Sequence, residues 1–342
     1  MSKRPTILDV AERAGVSKSL VGMVFASSEG VSDVRRERVL RAAAELGYTP
    51  NAWARSLRSN SAGFVGIIVA DFHNPLFTEI ADTARQFFAQ QGVFSFVSVA
   101  SIVDGPTGPV VDPAPIQHLL DLKPSSIVIV GGLPNHGPLS SLPEDFPVVV
   151  ALSAAVDLPA AAVVRSDDSV AMRLVCEHLR GLGHSRVAYV GPSGRLVADR
   201  RRQAFESEAE SCGLGFVTVS TGGRLDEPGG FEAASGVLAS DPTVTAMVCF
   251  NDNVAFGVQD AVERATRAGH APVAVTGFDN TYIAQLERIS LTSVEQETSE
   301  IVRVVCGLLA DGERWQKHRG TETLVKPGLV VRSSTAGVAV TR

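Results

Sequence analysis

Between residues 6 and 47 the sequence spells three short amphipathic helices with their own start and stop signals, and a segment that small closes only one compact core. Thr6-Ile7-Leu8-Asp9 is a capping box, in which a hydroxyl and a carboxylate three residues apart satisfy each other's backbone N–H groups. Ile7, Val10, Ala11 and Ala14 follow at i, i+3, i+4 and i+7, one apolar face over two turns. Gly15 supplies a left-handed stop, Val16 an apolar turn residue, and Ser17 the cap of a second helix reaching about Phe25. From Ser32 as N-cap to Gly47 as stop, Val39, Ala42, Ala43 and Leu46 repeat the spacing. Two helices joined by a short Gly-containing turn, with a third closing the core, make a helix-turn-helix unit.

In such a unit the second helix enters the major groove of DNA. Val21 and Val24 face inward, which leaves Lys18, Ser19, Gly22 and Met23 outward. There Lys18 reaches guanine acceptors, Ser19 either base edge, and Met23 a thymine methyl. The charge distribution agrees. Residues 1–60 hold 10 Lys and Arg against 6 Asp and Glu, whereas the remainder holds 21 against 31. The basic charge sits on the small head, so a chain-wide net charge of −6 does not exclude nucleic acid.

The body, from residue 62 to 342, is long enough for two lobes. Runs at 65–69, 94–99, 127–130, 148–152, 187–190, 247–250 and 273–275 read as buried parallel strands. Between them, 77–91, 169–182, 198–212, 253–268 and 299–310 read as helices. This alternation predicts doubly wound α/β sheets. The Pro- and Gly-rich stretch from Asp104 to Pro115 reads as an irregular surface loop, and beyond Arg332 as a short polar tail. Cys176, Cys212, Cys249 and Cys306 lack metal-ligand spacing and read as reduced thiols of a cytoplasmic protein. His178 and His184 flank a helix end and read as structural. Neither a metal nor a cofactor is expected. No signal peptide and no apolar run near 18 residues occurs, which argues against a membrane partner.

The head resembles that of the LacI/GalR (lac repressor/galactose repressor) family of bacterial transcription regulators. The matching residues are Thr6-Ile7-Leu8-Asp9-Val10-Ala11, Ala14-Gly15-Val16-Ser17, Val31-Ser32, Arg36-Glu37-Arg38-Val39, Leu46-Gly47-Tyr48-Thr49-Pro50-Asn51-Ala52 and Ala54-Arg55-Ser56-Leu57-Arg58. A generic helix-turn-helix match is weak evidence, but this ordered set joined to an α/β body is specific, and the resemblance extends over nearly the whole chain. It implies a helix-turn-helix domain over 1–49, a hinge helix over 50–61, and an effector-binding and dimerisation domain over 62–342 with the fold of periplasmic sugar-binding proteins. The lobes would then be about 62–162 with 292–325, and about 163–291 with 326–342, crossing near residues 162, 291 and 326. The implied DNA-binding set is Thr6, Ser17, Lys18, Ser19, Leu20, Gly22 and Met23 in the head, with Asn51, Ala54, Arg55, Leu57 and Arg58 in the hinge. The leucine matching Leu57 wedges into the minor groove in the family. Leu20, Gly22 and Met23 depart from the family's recognition helix, where Thr, Ser and Arg or Tyr are usual, so the family's usual operator sequence does not transfer.

Ligand is expected in the cleft between the lobes, at the carboxyl ends of the strands. Asp279 directly follows a predicted strand and matches aspartates that contact effector in the family. Arg201 matches the family's ligand arginine, although Arg200 and Arg202 flank it and blur the register. Asn251 ends another strand, and Leu76, Phe77 and Leu225 align with positions of the apolar wall. A sugar or related polyol is the expected ligand class. Without the leucine heptads some relatives use to form tetramers, a homodimer is the default.

Two other classes compete. A periplasmic solute-binding protein shares the body's fold, but it would need a secretory leader where this chain has a capped helix-turn-helix. For an α/β enzyme, neither G-x-G-x-x-G nor G-x-x-x-x-G-K-[ST] occurs, and Gly191-Pro192-Ser193-Gly194-Arg195 departs from the nucleophile elbow at its last position. The sequence thus reads as a non-enzymatic, ligand-responsive regulator, acting as a repressor on a near-palindromic operator.

Overall fold

Thr6 and Asp9 cap α1 (Ile7–Ala14) reciprocally: Thr6 Oγ1 accepts from Asp9 N at 3.4 Å, and Asp9 Oδ2 accepts from Thr6 N at 2.6 Å. The computed structural model describes residues 5–25, 30–48, 63–105, 108–155 and 157–336, and divides at Gly63/Phe64 into two units. The hinge residues Asn51, Ala54, Arg55, Leu57 and Arg58 lie outside the described residues. Gly15 ends α1 at φ 59°. Ser17 Oγ accepts from Leu20 N at 3.2 Å at the start of α2 (Lys18–Phe25). α3 (Asp33–Leu46) stops at Gly47, φ 65°. Ser32 occupies its N-cap but its hydroxyl makes no capping bond, which corrects the expected role of that side chain. Val10, Ala11, Ala14, Val21, Val24, Val39, Ala42 and Ala43 form the core, and the Phe25 and Tyr48 rings meet at 5.8 Å beside it.

The second unit holds two six-stranded sheets. One has the order β13-β7-β6-β5-β1-β2, with β1 (Val65–Val69), β2 (Ser95–Val99), β5 (Ser126–Val130), β6 (Val148–Ala151), β7 (Ala162–Ser166) and β13 (Glu322–Val325), all parallel. The other has the order β14-β12-β11-β10-β8-β9, with β8 (Arg186–Gly191), β9 (Gly215–Ser220), β10 (Ala246–Cys249), β11 (Ala274–Phe278), β12 (Thr292–Glu295) and β14 (Gly328–Val330). Only β14 in that sheet runs antiparallel, against β12. β1, β5 and β6 are buried at every position, as strands covered by helices on both faces must be.

Strand pairing corrects the expected lobe boundaries. Residues 163–166 belong to β7 in the N-lobe sheet, and 292–295 to β12 in the C-lobe sheet, so those two crossings fall after Ser166 and after Glu295 rather than near 162 and 291. The third lies at Lys326-Pro327, between β13 and β14.

The expected loop at 104–115 is also corrected. Ile102–Gly105 (β3) and Gly108–Val111 (β4) pair antiparallel, because β-branched Ile102, Val103, Val110 and Val111 favour extended, paired backbone. A helix then begins at Pro113, with Asp112 Oδ1 accepting from Ala114 N at 3.0 Å. A further unexpected helix, Glu227–Ser240, carries Gly229 and Gly230 in its first turn. A Cβ on Gly230 would collide with the Val254 carbonyl, and one on Gly257 with the Glu227 carbonyl. These glycines let two helices approach backbone to backbone, which propensity reads as helix breaking. Past Arg332 the expected polar tail is instead a helical turn, Ser333–Ala336, whose buried Thr335 bonds Thr292 Oγ1 at 2.7 Å and His178 Nε2 at 2.9 Å.

Candidate functional site

On the head, Lys18 and Ser19 are exposed, Met23 is 39% exposed, and Leu20 and Gly22 are half-buried. Thr6 and Ser17 are exposed, but their hydroxyls cap helices, so a contact from either would share a group already engaged. Lys18, Ser19 and Met23 stand outward from a core that Val21 and Val24 help to build, the disposition expected of the second helix of a helix-turn-helix.

In the second unit, a cleft of about 880 Å³ lies between the two sheets at their strand carboxyl ends. Asp279 follows β11 directly, in a left-handed conformation at φ 115°. It is 5% exposed. Its Oδ2 accepts from Asn74 Nδ2 at 3.0 Å, across the lobes, and its Oδ1 from Gln296 Nε2 at 2.7 Å. Burial pushes its carboxyl up, while the Arg201 charge and the Asn74 and Gln296 amides oppose that rise. Just behind it, fully buried Asp252 accepts from Ser293 Oγ at 2.6 Å, Thr281 N at 2.8 Å and Thr281 Oγ1 at 2.9 Å. Burial, then the Asp279 charge, pushes Asp252 up as well. Two buried carboxylates facing neutral donors resist ionising together.

Arg201 is the inward member of its arginine run. Arg200 turns to Glu322 at 3.4 Å and Arg202 to Glu206 at 2.6 Å, which resolves the register. Arg201 Nε donates to Asp168 Oδ1 at 3.0 Å and Nη1 to the Phe250 carbonyl at 2.7 Å. The guanidinium carbon stands 3.4 Å from the Phe278 ring centroid and 4.7 Å from that of Phe250. Held on three sides, this fork keeps one orientation toward the cleft.

Asn251 lines the cleft, yet both ends of its amide are engaged: Oδ1 accepts from Val254 N at 2.9 Å, and Nδ2 donates to the Leu225 carbonyl at 3.3 Å. Phe77 and Leu225 line the cleft. Leu76 does not. The helix Pro75–Gln90 turns about 100° per residue, so with Phe77 on the cleft Leu76 points into the N-lobe core, 1% exposed.

Sequence reasoning missed Asn74, Gln296, Ser153, Arg195 and the pair His136–Asp157, all of which line the cleft. Asn74 had a signal, an Asx residue before Pro at a strand-to-helix turn. Asp157 accepts from His136 N at 2.9 Å and from its ring Nδ1. Burial pushes the Asp157 carboxyl up, but these donors outweigh it and hold the group below its usual range. Cys176, Cys249 and Cys306 are buried free thiols that burial pushes up, and no cluster among the described residues suits a metal. No described helix is long and apolar enough to cross a membrane.

The pattern of bacterial regulatory proteins of the lacI family matches residues 6–51, and that of the periplasmic binding protein-like domain matches residues 176–335. The chain is 26% identical to the HTH-type transcriptional regulator DegA of Bacillus subtilis, over 97% of this chain and 98% of that one. The same fold occurs in the lac repressor dimer bound to operator and the anti-inducer ONPF, with a TM-score of 0.78 and 24% identity over 97% of this chain and 99% of that one. It also occurs in a LacI family transcriptional regulator from Arthrobacter sp. FB24 in complex with lactose, with a TM-score of 0.66 and 20% identity over 80% and 100%.

Proposed function

The chain belongs to the lacI family of bacterial regulatory proteins, and from that premise we propose that it is a cytoplasmic, non-enzymatic homodimeric repressor released from or driven onto its operator by a sugar or related metabolite. It is a DNA-binding transcriptional regulator. The observation that carries the effector reading is Asp279, a buried carboxylate opening onto the cleft and held by the amides of Asn74 and Gln296. Each of its oxygens keeps a further lone pair for a ligand hydroxyl. Phe77 and Leu225 supply the apolar wall, Arg201 a fixed fork, and Asn251 braces the floor.

Among the polar contacts that bridge the lobes are Asn74 to Asp279 and Asn253 Nδ2 to the His73 carbonyl at 3.3 Å, both at the cleft, and Arg200 to Glu322. A ligand that bonds Asp279 competes with or adds to that seam. It thereby biases the lobe arrangement, and a hinge over 50–61 would carry the bias to the DNA-reading heads. On the DNA, Lys18, Ser19, Leu20, Gly22 and Met23 would read the major groove, Thr6 and Ser17 would hold the backbone, and Asn51, Ala54, Arg55, Leu57 and Arg58 would engage the minor groove. Selection from a random duplex pool tests this reading: a near-palindromic site should be enriched, and a panel of sugars should change its affinity in fluorescence anisotropy. Enrichment of no site would refute it.

A further inference from the structure

Each charged group that lines the cleft has a hydrogen-bond or ion-pair partner among the described residues, with one exception. Asp71 pairs with His73 at 2.9 Å, Asp157 with His136, Arg201 with Asp168, and Asp279 takes two amide donors. Arg195, half-buried in the lining, has no partner among the described residues. A guanidinium drawn partly out of water without a counter-ion gives up solvation for nothing, unless an anion arrives.

Its position sharpens the point. Arg195 is the N-cap of the 16-residue helix Leu196–Ser211 and makes no side-chain cap bond. Leu196, Val197 and Ala198, whose amides form the open first turn, all belong to the cleft lining. The acid of that turn, Asp199, faces Arg202 at 3.9 Å. Across the cleft stands Ser153, at the end of β6 in the other lobe, only 4% exposed. Its hydroxyl has no hydrogen-bond partner among the described residues, although the residue lines the cleft. A Cβ placed on Gly132 would lie 3.1 Å from Ser153 Oγ and 3.8 Å from Val197 Cγ2, so the hydroxyl and the helix's first turn border one space. A guanidinium without a partner among the described residues, an uncapped helix start and an unpartnered hydroxyl thus line one cleft. All three favour an acceptor-rich negative group.

We propose that the effector is a sugar derivative bearing an anionic group, a phosphate or a carboxylate, received by Arg195, the first-turn amides of Leu196–Ser211 and Ser153. The proposal rests on the cleft being the effector site. Asp279 then takes the hydroxyls while Arg195 takes the charge.

The test uses the full chain with inorganic phosphate at constant ionic strength, followed by calorimetry and thermal shift. Phosphate should bind and raise the melting temperature. Arg195→Gln should weaken binding by about tenfold or more and Ser153→Ala by about threefold or more, with melting temperatures in phosphate-free buffer near wild type. Glucose 6-phosphate, gluconate and glucose then separate the sources in operator-binding assays. Either the phosphate or the carboxylate ligand should act at least about tenfold more strongly than glucose, an advantage that Arg195→Gln erases. Absence of phosphate binding, or equal binding by Arg195→Gln, overturns the proposal. Response to glucose alone, unchanged in Arg195→Gln, also overturns it but leaves the cleft as effector site. Phosphate binding through Arg195 without any ligand effect on operator affinity supports the anion site and removes the effector role instead.

Discussion

Replacing Asp279 by Ala should separate ligand recognition from DNA recognition, because the residue lines the cleft and lies in the unit that does not contain the helix-turn-helix. The carboxylate accepts two side-chain amide bonds, from Asn74 and Gln296, both buried. Losing it leaves both donors without their acceptor, at about 1–3 kcal/mol each. Part of that is recovered, since Asp252 is raised by burial and then by the Asp279 charge, and removing that charge relieves the pair. A net destabilisation of about 1–3 kcal/mol is therefore expected, tolerable for a domain of ordinary stability. A ligand hydroxyl on an ionised carboxylate contributes about 1.5–3 kcal/mol, so effector affinity should fall at least about tenfold, and more if two hydroxyls are lost. Calorimetry with the effector and anisotropy with operator DNA read the two effects separately. The variant should bind operator near wild-type affinity while failing to respond, giving constitutive repression if the effector is an inducer and lost repression if it is a corepressor. If a folded, dimeric Asp279→Ala protein loses operator binding with no ligand present, the residue belongs to the seam between the lobes and not to the effector site.

Four further outcomes follow from separate features. With about three to five phosphates neutralised per protomer, operator binding should show a log–log salt slope of about −5 to −9, and a slope near zero would exclude the expected phosphate contacts. Leu57→Ala should keep the dimer and effector affinity but weaken operator binding by about 1–3 kcal/mol, with unchanged DNA bending and affinity as the contrary result. Asp252→Asn should alter the pH dependence of stability. A carboxyl raised in the fold contributes stability at low pH that is lost as pH rises through its raised value, whereas His178 and His184, pushed down by burial, lose stability as pH falls. Thermal melts should therefore favour the variant over wild type more at about pH 8 than at about pH 5, and parallel curves would show that Asp252 does not titrate differently on folding. Gly257→Ala should cost about 1–3 kcal/mol or more in a chemical melt, because its methyl group enters the Glu227 carbonyl; a neutral effect would mean that the helix pair separates freely.

The head was legible almost residue by residue because its structure is local. A capping box, a glycine stop and an i, i+3, i+4 stripe act within a few residues, and each stands where the sequence placed it except the unused Ser32 hydroxyl. The central strands β1, β5, β6, β8, β10 and β11 were legible for a related reason, since a strand covered on both faces reads as an unbroken apolar run. Interior β7 and β12, which mix Ala, Ser, Thr or charged residues with Val, were not read. Edge strand β9, with its alternating exposure, and helix Glu227–Ser240, with glycines chosen for contact, were not. At the cleft, Asp279 and Asn251 were accessible to reading because a residue just past a parallel strand faces the ligand side by topology alone. Their partners were not, since the bond from Asn74 to Asp279 joins residues 205 apart. Arg195 shows the deeper reason. Nothing in its neighbours distinguishes it from any arginine opening a helix, and only after both lobes are folded is every other charged group around the cleft found to have a partner among the described residues. An unmatched group is a property of the whole enclosure, so ligand chemistry is the last layer to emerge from a chain whose fold is written in short-range patterns.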